Sequence, residues 1–266
     1  MKKKAINPTR REFLARTGAG AAGLVLGLNG IDADSYSRII GSNEKIRVGF
    51  MGTGNRGTQL LHTFMTMPDC ETAALCDVYE PYITRQYDKV DPRYISTRPQ
   101  QIPKMGEAFT GKVGRYSDYR KMIDEMLPDF VVVATPTKFH YQMVKYAIDK
   151  GLHVFCEKPF SLNVSEGREL ADMAARAGIV NQVGFHNHFI GTFRELKRLL
   201  DRKMLGEIVH FSGEAYGPVV TKEKGGTWRS DPGEGGGCLY DYASHVINLV
   251  QEIIGRPVKL HGSVLK

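Results

Sequence analysis

The feature that most constrains this chain is a short apolar strand that runs directly into a glycine-spaced turn and then into an amphipathic helix. Lys45 to Phe50 read as a buried strand, Gly52-Thr53-Gly54-Asn55-Arg56-Gly57 as the turn, and Thr58 to about Met67 as the helix. In that context each glycine has a reason: Gly52 permits the tight turn, Gly54 lets backbone approach a diphosphate, and Gly57 lets helix and strand pack closely. The helix start adds unpaired N–H groups and partial positive charge, the usual seat for phosphate. The turn, Thr53, Asn55 and Arg56 included, is therefore a candidate dinucleotide site. A second strand, Glu71 to Cys76, ends in Asp77, twenty residues beyond Gly57. A carboxylate there accepts from ribose hydroxyls and repels a 2′-phosphate, which favours NAD, with NADP left open.

The alternation continues. Phe130 to Ala134 is β-branched and ends at Thr135-Pro136, with His140 following. Lys138–Lys150 has helical spacing and stops at Gly151, and His153–Cys156 is a further strand ending in Glu157-Lys158-Pro159. Glu166–Ala177 is helical up to Gly178, and Ile179–Phe185 is a fifth strand. Strands alternating with helices predict a parallel, doubly wound α/β sheet. The polar, proline-containing stretch 82–112 reads as a surface excursion with a short helix.

The bulk properties exclude some classes. The 266 residues suffice for a sizeable core, at 42% hydrophobic and a mean hydropathy of −0.29. The net charge of +7 is not a nucleic-acid footprint: residues 1–36 hold six Lys/Arg against three Asp/Glu, and the remaining excess forms no stripe. Four cysteines without CxxC spacing argue against structural zinc. His186 and His188 alternate on what reads as an extended segment, which would turn both to one face. A metal there, even with His245, is set aside because Lys158 has no place in such a site, so no metal is expected.

Residues 1–36 read as a signal and linker. A basic start, Thr9-Arg10-Arg11-Glu12-Phe13-Leu14 and a Gly/Ala-rich run to about Leu28 resemble a twin-arginine export signal. The run Gly18 to Gly23 disfavours a stable soluble helix, because glycine costs about 1 kcal/mol per helical position. The expectation is export to the periplasm by the twin-arginine machinery, with cleavage near Ala33 or retention as a membrane anchor.

Taken together, the motifs resemble the Gfo/Idh/MocA oxidoreductases, the glucose-fructose oxidoreductase and inositol dehydrogenase type. The resemblance rests on GTGNRG, Asp77, Ala134-Thr135-Pro136 with His140, Glu157-Lys158-Pro159, Val183–Phe189, Trp228-Arg229 and the run from Gly235 to His245. It covers about residues 44 to 266. It implies a Rossmann domain over 44–184, then a partial α+β open-sheet substrate domain over 185–266. It also implies a catalytic Lys158 with an Asp241/His245 pair, a cofactor loop of Thr135, Pro136 and His140, and Glu157 near the nicotinamide.

The residue chemistry agrees with those roles. An imidazole suits general-base work on a hydroxyl, and a lysine stabilises developing alkoxide charge. If 238–253 is helical, Asp241 and His245 share a face, so the carboxylate would orient the ring. Asn187, Trp228 and Arg229 are candidate substrate contacts.

Glu207–Tyr216 alternates as a strand and Val258–Leu265 begins another. That leaves a two-strand sheet with exposed edges, completed by further chain or by self-association. The function expected is hydride transfer between a tightly held nicotinamide and a hydroxyl of a sugar, cyclitol or derivative. The alternatives are an NAD-dependent glycoside hydrolase acting by transient oxidation and elimination, and a non-catalytic sugar-binding remnant.

Overall fold

The structure, a computed structural model, describes residues 45–95, 104–215, 228–259 and 261–262. The signal-like segment lies outside the described residues, as do residues 260 and 263–265 of the strand expected over 258–265, whose other residues form no strand. Residues Lys45–Lys266 form one compact unit.

Six parallel strands make one sheet: β1 (Ile46–Met51), β2 (Cys70–Cys76), β3 (Gly114–Tyr116), β4 (Phe130–Val133), β5 (His153–Cys156) and β6 (Asn181–Val183). Their order is β3-β2-β1-β4-β5-β6, the doubly wound Rossmann arrangement. The connecting helices are α1 (Asn55–Met65), α2 (Glu80–Thr84), α3 (Tyr119–Met126), α4 (His140–Asp149) and α5 (Val164–Ala177). They are followed by α6 (Gly191–Asp201) and α7 (Ser244–Ile253).

Side chains alternate across the sheet, as strand geometry demands. Met51, Ala74, Cys76, Val131 and Val133 face one layer with Met122 and Ile123 of α3, Val144 and Ala147 of α4, and Leu170 of α5. Phe50, Leu75 and Val132 face the other, with Leu60 and Leu61 of α1. Helix ends follow local chemistry. Asp118 caps α3 by accepting from the Arg120 N–H, and Asn163 caps α5 by accepting from that of Glu166. Gly178 closes α5 in the left-handed conformation, at φ +64°.

Four expectations need correction. β3 and α3 occupy a stretch with no element expected. The excursion after β2 is not merely superficial, because Arg85 and Glu107 within it form a buried ion pair. His186–Phe189 is a 3-10 turn, not an extended segment, so His186 and His188 do not share a face. Finally, residues 207–215 form no strand. An alternating pattern becomes a strand only when a neighbouring strand pairs with its backbone, and no strand ladder among the described residues includes this segment.

Candidate active site

The carboxyl edge of the sheet builds the site. Beyond each strand the chain keeps one more ladder bond: Gly52 N–H donates to Cys76, Ala134 to Met51, Glu157 to Val133 and Gly184 to Cys156, all at 2.8 Å. The loops carrying the motifs are thereby aligned side by side, at the switch point between β1 and β4 where such sheets bind ligands.

The glycine turn fits a dinucleotide diphosphate. Gly52 sits at φ +85°, and a Cβ on Gly57 would collide with the Gly52 carbonyl oxygen, so neither position tolerates a side chain. No side chain caps α1, and no acidic residue lies in its first turn, which leaves the helix start for an anion. The Asp77 carboxylate accepts from the N–H groups of Thr53 (2.7 Å) and Tyr79 (3.0 Å). Burial pushes its pKa up, against those hydrogen bonds. It retains lone pairs for ribose hydroxyls. The Asn55 amide donates to the Tyr94 carbonyl at 2.8 Å.

Behind the turn lies a brace that sequence reasoning missed. The Arg85 guanidinium donates to the Thr53 carbonyl (2.8 Å) and the Thr58 hydroxyl (2.9 Å), and pairs with Glu107. Both charged side chains are almost fully buried. No spacing signal joins residues 22 apart across an irregular stretch.

Two residues expected at the cofactor hold loops together. His140 is buried, its ring nitrogens 2.8 Å from the carbonyls of Thr135 and Pro159, so it ties the Thr135-Pro136 loop to the Lys158 loop. Burial lowers its pKa, against two carbonyls that favour the cation. The buried Glu157 carboxylate accepts from Arg56 Nε at 2.7 Å, joining α1 to the end of β5. Gly184 lies so close that an added Cβ would stand 2.8 Å from Glu157 Oε1.

The catalytic candidates converge. Lys158 Nζ donates to Asp241 twice, to Oδ1 at 2.8 Å and to the main-chain carbonyl at 2.7 Å. Arg229 pairs with the other carboxylate oxygen and stacks over Trp228 at 4.6 Å. Burial raises the Asp241 pKa, but the charges of Arg229 and Lys158 outweigh it and hold the carboxyl below its ordinary value.

The expected Asp241-to-His245 hydrogen bond is not made. Two cations hold the carboxylate more strongly than a neutral ring would, and Asp241 lies within a π-helical turn, Leu239–Ala243, whose wider pitch breaks the regular i,i+4 spacing to His245. His245 is lowered to about 4, by burial first, then by Lys158 and His186. It is therefore a free base at neutral pH, with Nδ1 buried and unpartnered.

His186 touches this ring, at 4.9 Å between centroids, whereas His188 turns to Asn248 and Glu252. Asn187 lies in the same turn, its carbonyl accepting from Ile190. Among the described residues, no group of three or more His, Cys, Asp or Glu could hold a metal.

The sequence and the fold both have relatives among known proteins. The profile of the oxidoreductase family with an NAD-binding Rossmann fold matches residues 46–185, and that of the GFO/IDH/MocA C-terminal domain matches 193–266. The chain belongs to the Gfo/Idh/MocA family.

It is 26% identical over 225 residues to D-glucoside 3-dehydrogenase of Escherichia coli (strain K12), covering 81% of this chain and 56% of that protein. It is 30% identical over 183 residues to glycosyl hydrolase family 109 protein 1 of Shewanella sp. (strain ANA-3), covering 64% and 38%. Among solved structures, scyllo-inositol dehydrogenase from Lactobacillus casei with bound NAD(H) and scyllo-inositol shares the fold. The TM-score is 0.64 at 20% identity, over 79% of this chain and 56% of that one. The chain spans 56% or less of the length of these relatives. In this Gfo/Idh/MocA chain the glycine turn and Asp77 would hold NAD, and Lys158, Asp241 and His245 stand together at the same edge of the sheet.

Proposed function

We propose that the protein oxidises and reduces a hydroxyl of a sugar, cyclitol or sugar derivative, using a nicotinamide cofactor that it retains between turnovers. The observation that carries this reading is the convergence of an ammonium, Lys158, and an unprotonated imidazole, His245, at the carboxyl edge of an NAD-binding Rossmann sheet. A bound nicotinamide supplies the hydride acceptor. His245 removes the hydroxyl proton, and its depressed pKa keeps it free to do so at neutral pH. Lys158 places positive charge where alkoxide character develops. Asp241 holds the lysine in place through two hydrogen bonds. Similarity to D-glucoside 3-dehydrogenase supports a carbohydrate as substrate.

Export by the twin-arginine route is part of the proposal, supported by Arg10-Arg11 ahead of Phe13-Leu14 and the Gly/Ala-rich run. A periplasmic enzyme has no ready supply of fresh NAD, so the reading predicts paired oxidation of one carbohydrate and reduction of another. Native mass spectrometry of the purified protein should show the cofactor. Protein without bound nicotinamide, and without a thermal shift on adding NAD, would end the proposal.

The glycosyl hydrolase relative favours a second reading, glycoside cleavage through transient oxidation. An aryl glycoside separates the two: aglycone release without net NADH supports cleavage.

A further inference from the structure

Oxidation of a hydroxyl leaves a proton on His245, and that proton must reach solvent before the next turnover. His245 is badly placed to release it alone. Its Nδ1 is buried without a hydrogen-bond partner, and Phe185 packs edge-on against the ring at 6.0 Å. The other aromatic neighbour is His186, whose ring meets that of His245 at 4.9 Å and 66°. His186 comes from the turn after β6, outside α7, and is exposed. The two imidazoles therefore form a contact from the interior of the site to water.

We infer that His186 is the second imidazole of the base: it takes the proton from His245 and passes it to solvent. The inference rests on His245 being the proton acceptor. The balance is simple. With a nicotinamide bound, the carbinol hydrogen would leave with the C–H electron pair as hydride to it, and the O–H proton would go to His245. That N–H then breaks as one forms on His186 through one bridging water, and His186 loses the proton to solvent.

The groups facing the pair suit a relay. Lys158 and Arg56 are cationic, while Glu157 and Asp241 carry opposing charge. Burial, and after it Arg56, keep His186 below its ordinary pKa, so both rings start neutral. His186 is the more exposed of the two rings, so a positive charge is better hydrated there than on His245, which favours transfer outward.

The test uses the full-length protein with His186→Asn and His186→Ala. At low buffer concentration kcat should fall by about 10-fold or more. KM and NAD affinity should hold, and added imidazole should restore turnover. An unchanged kcat, or a loss that imidazole does not rescue, overturns the relay. If the wild type turns over no carbohydrate, the oxidoreductase reading fails on its own, and NMR titration judges the pair. His245 should titrate near 4 in the wild type and move toward 6.5 in His186→Asn. An unmoved titration ends the pairing.

Discussion

In the sheet of residues 46–183 the three central strands β1, β2 and β4 bury side chains on both faces, whereas α6 buries none and α7 buries only Leu249. The first region is held by apolar area removed from water, the main driving force of folding. The second meets it through charge and polar contacts: Lys158 on Asp241, Lys138 on Glu234, and the Tyr240 hydroxyl on the Leu162 carbonyl. The carboxylate that holds the proposed catalytic Lys158 is thus also a main fastening between the two regions. The geometry of the candidate site and the docking of α7 share one interaction, and a change at Asp241 should register in both.

Asp241→Ala tests this most severely. It strands two cations beside a buried position, and removing one partner of a buried pair costs about 3–5 kcal/mol. The loss should be local: amide exchange should rise across residues 239–253 while the sheet keeps its protection. Equal acceleration in the sheet would show that the two regions unfold as one. Next comes the core. Leu75→Ala should lower stability by about 2–5 kcal/mol, read from the urea midpoint. Ile247→Ala, at a position 49% exposed in α7, should stay within about 0.5 kcal/mol. Similar losses at both positions would abolish the contrast.

The same contrast explains what the sequence makes legible. β1, β2 and β4 are legible because each is a local apolar run that the parallel sheet buries on both faces, β5 because its apolar residues are buried on one face and partly on the other, and the glycine turn because its spacing is set by covalent geometry. β3 is not, since three residues, Gly-Arg-Tyr, carry no pattern. α3 has a signal that could have been used: Asp118 as cap, with Tyr119, Met122, Ile123 and Met126 at helical spacing.

At the site, residue identities are legible but partners are not. Lys158, Asp241 and His245 do meet, yet Asp241 serves the lysine and Arg229 instead of the histidine. Arg85 and the His186–His245 contact depend on tertiary placement that no spacing encodes.

Acid should weaken the site before it weakens the sheet. His245 is lowered from 6.5 to about 4 in the folded protein, so the unfolded chain binds more protons between those values. Its contribution to stability is complete above the ordinary imidazole pKa. It is lost as pH falls from about 6.5 and stops declining near 4. His140 and His186 are shifted the same way. Thermal midpoints measured across this window should fall with pH, and His245→Phe should flatten the slope. A variant with the wild-type slope would mean that His245 is not the group titrating.

The smallest effect belongs to the Lys138–Glu234 pair, which joins the loop before α4 to the turn at 232–234. Both side chains keep contact with water, at 35% and 28% exposure, and exposed pairs contribute about 0–1 kcal/mol. Lys138→Ala should therefore cost under about 1 kcal/mol at low salt and nothing measurable near 1 M, where charges are screened within about 3 Å. The Lys158–Asp241 pair, at 13% and 8% exposure, should keep its strength over the same salt range. If the Lys138→Ala loss persists in high salt, the fastening between the regions extends beyond the Lys158–Asp241 pair. If it vanishes as expected, Asp241 is the charge among these that ties the candidate site to the hold of α7 on the sheet.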